Sequence, residues 1–327
     1  MDTVRIATVG AGNLSTAKIY PCFQALPVEL VAVCDLDRDK AEDRARRFGA
    51  GKVYTDIDEM LAREELDALV GCIGPEAHPI VAKKGLAAGL HVYTEKPPSV
   101  TSAEALEVAK LAAKADRLVM AAFKKRYTPI YVRMKHEMAA EGFAPPKLIS
   151  MRRSSGQYAN DGPRSEFLLD FCIHGIDLMA WLGGTVDEVY ATSPNPNAYS
   201  VSLQFESGTV GSMALAGASW GYADEQVCAY GAGPGFIESR DMRQLFMAGD
   251  GGEMREVYRV DFSTAGQDGQ VVGGFFPEMQ AFVQAVRTGD RSHCRSDIVQ
   301  SYRSMVLYEG IKESAASNQP VTLSYDI

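Results

Sequence analysis

Asp170 and His174 stand four residues apart in the run Asp170-Phe171-Cys172-Ile173-His174-Gly175-Ile176-Asp177. If both are helical, they share one face. A carboxylate beside an imidazole can hold one tautomer and raise its basicity, and an imidazole suits taking a proton from an alcohol as hydride leaves. The same residues also allow a plainer reading, with Asp170 as a helix N-cap and His174 as a packed histidine. A metal pair fits less well, because zinc takes three or four ligands and only two stand here.

A second group is Thr94-Glu95-Lys96-Pro97-Pro98, after the apolar run His91–Thr94. A lysine at the carboxyl end of a strand can hold a substrate hydroxyl or tune a neighbouring base through its charge. The alternative is a surface lysine before a turn. A third group, Gly74-Pro75-Glu76-Ala77-His78, follows another apolar run, Ala68–Ile73. Gly74, Pro75 and Glu95 are expected beside a cofactor at that end of the sheet. His78 either caps the next helix or touches the cofactor, and the structural role is favoured.

These groups need a scaffold, and the start of the chain supplies its signature. Val4–Val9 is apolar and runs into Gly10-Ala11-Gly12, with a helical stretch expected over Thr16–Leu26. Glycines between a strand and a helix N-terminus let the backbone approach a pyrophosphate, whose charge the unpaired amides attract. Asn13 and Leu14 continue this turn and complete the expected phosphate site. A second apolar run, Leu30–Cys34, ends at Asp35, which lies 20 positions after Ser15. A carboxylate there would accept from ribose hydroxyls and repel a 2′-phosphate, which favours NAD over NADP; Arg38 nearby would blunt that preference.

Short runs, apolar on both faces, alternate with amphipathic stretches through the first third, as in parallel strands covered by helices. The strands are Val4–Val9, Leu30–Asp35, Val53-Tyr54, Ala68–Ile73, His91–Thr94 and Leu118–Phe123. The helices are Arg38–Phe48, Ile57–Arg63, Pro79–Ala88 and Ala103–Ala115, and Asp56-x-x-Glu59 and Thr101-x-x-Glu104 read as capping boxes. This is an α/β Rossmann domain with a doubly wound parallel sheet, whose ligand crevice lies at the carboxyl ends of the strands. After residue 124 the pattern changes. Helices are expected over Thr128–Ala140 and Ile173–Leu182 and a strand over Lys147–Ser154. Alternation at Val201, Leu203 and Phe205 and a run over Thr209–Leu215 mark an antiparallel sheet. Residues 221–252 are glycine-rich and read as short strands and loops. Pro277–Arg287 and Asp297–Ser317 read as helices. Two domains follow, 1–124 binding the dinucleotide and 125–327 binding substrate and supporting oligomerisation.

With 327 residues, 46% apolar and 23% charged, the chain has the composition of a soluble globular protein. A net charge of −9 argues against general nucleic-acid binding and against an anionic membrane surface. No run approaches the ~20 apolar residues that cross a bilayer. The chain enters a strand almost at once, so no export leader is expected. Six scattered cysteines without a Cys-x-x-Cys pair point to a reducing cytoplasm, with no structural disulfide and no metal site.

Taken in order, Gly10-Ala11-Gly12, Asp35, Pro75 with His78, Gly89-Leu90-His91-Val92, Glu95-Lys96-Pro97, Arg126-Tyr127-x-Pro129 and Asp170-x-x-x-His174 resemble the glucose–fructose oxidoreductase / inositol dehydrogenase / rhizopine-catabolism family, the Gfo/Idh/MocA group. Ser15 in place of a third Gly or Ala, Glu76 after Pro75, and Ser165–Leu169 without a glycine cluster depart from the family pattern. The resemblance implies a second, α+β domain with a large open, mostly antiparallel sheet that makes homodimer or homotetramer contacts. It also implies hydride transfer between NAD(P) and a sugar, cyclitol or related polyol. Lys96 would bind substrate and assist proton transfer, Asp170 would bind a hydroxyl, and His174 would be the acid/base. Arg126 and Tyr127 would line the substrate pocket. Two other functions remain open on these residues: an enzyme that retains NAD for transient oxidation, and a dinucleotide-binding sensor.

Overall fold

The computed structural model of the chain describes residues 3–156, 158, 166–217, 223–233, 235–249, 251–260 and 268–327. Two compact units emerge, Met1–Lys124 with Gly274–Tyr302 and Ile327, and Lys125–Gly273 with Arg303–Asp326.

The first unit is built on β1 (Val4–Val9), β2 (Val28–Cys34), β3 (Lys52–Tyr54), β4 (Ala68–Gly71), β5 (His91–Thr94) and β6 (Val119–Ala121). All are parallel, in the order β3-β2-β1-β4-β5-β6. That order reverses direction between β1 and β4, which opens a crevice beyond their carboxyl ends. α1 (Tyr20–Phe23), α2 (Arg38–Phe48), α3 (Ile57–Arg63), α4 (His78–Ala87) and α5 (Ser102–Ala115) connect the strands. Local signals start and stop them. The Asp37 side chain accepts from Lys40 N at 3.2 Å, and Asp56 accepts from Glu59 N at 2.8 Å. Thr101 and Glu104 form a reciprocal capping box, and Gly49 ends α2 at φ +82°. The strands are apolar on both faces because helices cover both. Ala7, Val31, Ala32, Leu69, Val81 and Leu90 belong to one buried cluster, and Ala82, Leu86, Val92, Val108, Ala109 and Val119 to another.

The helix expected over Thr16–Leu26 is broken. Ser15–Ile19 forms a π-turn, with Tyr20 N donating to Ser15 O, before the short α1. Pro21 has no N–H, so it interrupts the hydrogen-bond ladder at that point. Asp35 lies one residue past β2 rather than in it.

The second unit holds α6 (Pro129–Met138), α7 (Ile173–Gly183), α8 (Asp268–Val272) and a nine-stranded sheet. The strands are β7 (Leu148–Ser154), β8 (Val186–Asn195), β9 (Ala198–Phe205), β10 (Val210–Ala216), β11 (Asp224–Tyr230), β12 (Phe236–Arg240), β13 (Gln244–Ala248), β14 (Arg255–Arg259) and β15 (Val321–Thr322). Their order is β14-β13-β12-β11-β7-β10-β9-β8-β15. Every pairing is antiparallel except β7 with β10. One face buries Val201, Leu203 and Phe205 of β9 with Met213 and Leu215 of β10, and the alternate residues are exposed. Within the glycine-rich 221–252, β11, β12 and β13 form a meander; Gly221, Tyr222, Pro234 and Asp250 lie outside the described residues.

The chain then returns to the first unit as α9 (Phe275–Thr288) and the opening of α10 (Ile298–Ser317), with the unit boundary after Tyr302. This differs from a single cut after residue 124. The return is held by long-range contacts: Tyr93 Oη donates to Glu278 Oε2 at 2.9 Å, and Met120 bridges to Asp297.

Candidate active site

Gly10 closes β1 at φ +106°, a region that favours glycine. A Cβ there would lie 2.2 Å from the Cys72 carbonyl oxygen. Glycine is thus required for the ends of β1 and β4 to approach, and Gly10 N donates to Cys34 O at 2.9 Å. A Cβ at Gly12 would meet nothing within 4 Å, so this stretch of backbone faces open space. Asn13 and Leu14 are exposed beside it. Ser15 is buried, and its Oγ donates to Gly12 O at 3.0 Å, so the serine ties the turn that a third glycine would only pack.

Asp35 is half-buried at the carboxyl end of β2. Its Oδ2 accepts from Ala11 N at 2.6 Å, and its Oδ1 accepts from Asp37 N at 2.9 Å. Two backbone donors therefore aim the carboxylate at the glycine turn. A carboxylate has about four acceptor positions, which leaves capacity for hydroxyl donors. Arg38 is exposed and its Nε pairs with Glu42 Oε1 at 2.8 Å on the surface of α2. Sequence reasoning missed Tyr20, which is buried beneath the loop. Its hydroxyl lies 2.9 Å from Thr8 Oγ1 and donates to Gly10 O at 3.3 Å, and its ring stacks on Phe48. Only contacts across the fold reveal it.

At the carboxyl ends of β4 and β5, Gly74 O accepts from Ala77 N and His78 N, both at 3.1 Å, opening α4 next to Pro75. His78 is fully buried. Its Nδ1 lies 2.7 Å from Pro97 O, and its Nε2 accepts from Ile73 N at 3.4 Å. Those two partners assign a neutral ring with the proton on Nδ1. His78 thus spans the turn after β4 and the turn after Lys96. Glu95 is buried, its N donates to Gly71 O at 2.8 Å, and its Oε2 accepts from Lys96 N at 3.1 Å. Lys96 is half-buried and precedes a cis peptide to Pro97.

Asp170 and His174 belong to the second unit, and both are half-buried. Asp170 sits in a π-turn, Leu168–Cys172, that runs straight into α7. It is not the N-cap of α7, since Cys172 holds that place. Its N donates to Glu166 O at 2.8 Å, and its Oδ2 accepts from Tyr158 Oη at 2.8 Å. His174 lies in the first turn of α7. Ser165, in the stretch before Asp170, is outside the described residues.

Arg126 and Tyr127 were expected to line the substrate pocket. Both are buried on a 3₁₀ turn, Lys124–Tyr127. Arg126 Nε donates to Asp177 Oδ2 at 2.9 Å and its Nη2 to Asp177 Oδ1 at 2.7 Å, while Ser304 Oγ also donates to Asp177. Burial pushes the Asp177 carboxyl up, and the Arg126 charge opposes that shift. The guanidinium is thus committed to a buried fork-to-fork pair that joins the 3₁₀ turn to α7. Next to it, Lys125 and Arg153 both pair with buried Glu225. Burial alone would raise Glu225, but those two charges hold it at about 2. Among the described residues no group of three or more acidic, histidine or cysteine side chains could hold a metal ion.

Two family models cover most of the chain. Residues 4–123 match an oxidoreductase family with an NAD-binding Rossmann fold, and residues 152–323 match its C-terminal alpha/beta domain. The chain belongs to the Gfo/Idh/MocA oxidoreductase family. Its first unit is the family's NAD-binding Rossmann domain. An inositol 2-dehydrogenase from Acidothermus cellulolyticus is 27% identical over 199 residues, 60% of this chain and 58% of that one. The match thus spans under two thirds of that relative's length. A myo-inositol 2-dehydrogenase from Thermotoga maritima is 22% identical over 315 residues, 88% of this chain and 89% of that one. The crystal structure of a dehydrogenase from Chromobacterium violaceum superposes with a TM-score of 0.86 at 20% identity, covering 98% of this chain and 97% of that one. The family fold therefore extends over both units.

Proposed function

We propose that the protein is an NAD-dependent dehydrogenase that oxidises a secondary hydroxyl of a sugar, cyclitol or related polyol. The observation that carries this reading is the carboxyl edge of the first sheet. There, Gly10 and Gly12 leave open backbone, a twice-anchored Asp35 faces the same turn, and Lys96 follows β5 on the same edge. Open glycine backbone suits a pyrophosphate, and a fixed carboxylate suits the ribose hydroxyls of NAD and disfavours a 2′-phosphate. With Arg38 turned to Glu42, nothing described at that position offers a 2′-phosphate a free guanidinium. The inositol dehydrogenases among the relatives support the polyol class.

When bound, NAD supplies the hydride acceptor. His174 takes the proton of the reacting hydroxyl. Lys96 holds that oxygen and stabilises its developing negative charge, and Asp170 accepts a hydrogen bond from a hydroxyl and so orients the ring. The alcohol would thereby lose its O–H proton to the protein and its carbon-bound hydrogen, as hydride, to NAD. Gly74, Pro75 and Glu95 complete the cofactor side. The scattered cysteines without a Cys-x-x-Cys pair support a reducing, cytoplasmic setting. The small neutral side chains of Ser202, Ser212 and Ser150, adjacent in register on the outer face of the second sheet, support a homodimer or homotetramer.

The test is NADH absorbance with NAD and a panel of cyclitols, aldoses, sugar acids and amino-sugars. A rate confined to one stereochemical class is the expected result. Lys96→Met and His174→Gln should each lower that rate by about 10²–10⁴-fold while NAD affinity stays nearly intact. Near-normal turnover in both variants would remove them from the mechanism.

A further inference from the structure

Asp170 sits in a π-turn, where the backbone ladder is looser than in an α-helix, so its carboxylate needs an external tie to hold one orientation. The Tyr158 hydroxyl provides one, donating to Asp170 Oδ2 at 2.8 Å. We propose that Tyr158 is a positioning residue, whose phenol fixes the orientation in which Asp170 meets a substrate hydroxyl. This rests on the reading of Asp170 as a substrate ligand.

Both partners are held independently of each other. Tyr158 N donates to Gly217 O at 3.1 Å, and Asn197 Nδ2 donates to Tyr158 O at 3.3 Å. A Cβ on Gly217 would press on Tyr158, Phe167 and Asn197, all at 3.1 Å, so the strand end is shaped to seat the tyrosine. The Tyr158 ring meets the edge of Phe167 at 5.3 Å between centroids. Phe167 stacks on Phe171 at 5.7 Å, with 12° between planes. The Arg153 guanidinium lies 4.1 Å from the Phe171 centroid, and that arginine is fixed by Glu225. A continuous aromatic layer, clamped to β7 and β11, thus holds the residues on either side of Asp170 against the tyrosine.

The chemistry gives the bond one polarity. Burial first, and then the bond to Asp170, push the Tyr158 phenol well above its ordinary range, so it remains a donor throughout the working range. The carboxylate is the acceptor. Other titratable or charged groups around the pair are Glu166, Cys172 and His174 on the same stretch, Arg153 on β7, Tyr199 on β9, and Tyr308 and Lys312 on α10. None of these is altered by removing one phenol oxygen.

Tyr158→Phe keeps the ring and its packing and deletes only the donor. The first readout needs no substrate: ¹³C NMR of the protein labelled at aspartate Cγ, with the Asp170 resonance assigned by its loss in Asp170→Asn. Loss of the donor to Oδ2 should move the Asp170 Cγ resonance at a fixed, neutral pH. The second readout is turnover. We expect kcat to fall about tenfold, with NAD affinity and melting temperature nearly unchanged. An unmoved Asp170 resonance overturns the proposal, and so does a moved resonance with wild-type kcat. Asp170→Asn run in parallel separates the two readings. If it turns over normally, the substrate role of Asp170 fails, whereas an inactive Asp170→Asn beside a fully active Tyr158→Phe sinks the tyrosine alone.

Discussion

Gly10 carries two constraints that a methyl group would break: a positive φ and a carbonyl 2.2 Å from where Cβ would stand. Gly10→Ala should therefore destabilise by about 2–5 kcal/mol, combining backbone strain with overpacking. Urea unfolding measures this, and a loss under about 1 kcal/mol would mean that the β1 turn relaxes freely. Asp35→Ser removes the carboxylate aimed at the turn and should narrow the preference for NAD over NADP by at least about tenfold. Unchanged ratios of kcat/KM for the two cofactors would show that Asp35 only anchors Ala11 and Asp37. Arg126 tests the opposite role. Arg126→Ala leaves Asp177 buried without its ion-pair partner and should cost about 3–5 kcal/mol, and Arg126→Met with Asp177→Leu should recover most of it. If Arg126→Ala unfolds normally but raises substrate KM, the guanidinium works at the substrate after all.

Among the elements, those governed by local chemistry were legible in sequence. Thr101 with Glu104, Asp56 and Gly49 set helix ends through contacts within four residues, and α2 and α3 span their expected bounds. The motif residues at the β1, β2 and β5 ends were equally legible, because glycine and acid positions follow strand ends directly. What depends on distant partners was not. The commitment of Arg126 to Asp177 spans 51 positions, the tie from Tyr158 to Asp170 joins separate elements, and the β11–β13 meander lacks the strict alternation that marks β9. His91 shows how such a partner sets a property. Leu118 N donates to His91 Nδ1 at 3.0 Å, tying the start of β5 to the approach of β6. Burial, then Arg117 and Arg291, push this imidazole down to about 4. The folded state thus resists a proton that the unfolded chain takes up near pH 6.5. Stability from this histidine is complete above pH 6.5 and erodes as the pH falls towards 4. His91→Asn keeps an acceptor for Leu118 N but cannot titrate. Its melting temperature should fall less than that of the parent between pH 7 and pH 5; parallel declines would exclude His91 as a source of acid sensitivity.

For the molecule as a whole, the net charge of −9 opposes self-association, yet the middle of the outer face of the second sheet carries small neutral side chains. Register places Tyr190, Ser202, Ser212, Ser150 and Cys228 in one row across β8, β9, β10, β7 and β11. The next row runs Gln204, Val210, Leu148, Tyr230 and Phe236, with the Tyr230 and Phe236 rings 4.8 Å apart. Val210 is 51% exposed and Tyr230 43%. The small neutral side chains around Ser202, Ser212 and Ser150 leave little there to repel a second copy, and depletion of charge marks the centre of protein interfaces. Charge enters at the flanks: Glu238 on β12 continues the first row, Glu188 on β8 continues the second, and Arg152 and Arg240 flank Gln226 in the row beside Cys228. A face-to-face pairing of two copies would put Ser212 near the middle of the contact. Ser212→Arg would then set like charges against each other across the symmetry axis and shift the assembly towards monomer, while the buried face of β10 is left unaltered. Sedimentation velocity at micromolar concentration decides it. A parent heavier than one chain and a lighter Ser212→Arg variant, with unchanged NAD affinity, would locate the interface on this sheet. An assembly that ignores the new charge would place it elsewhere.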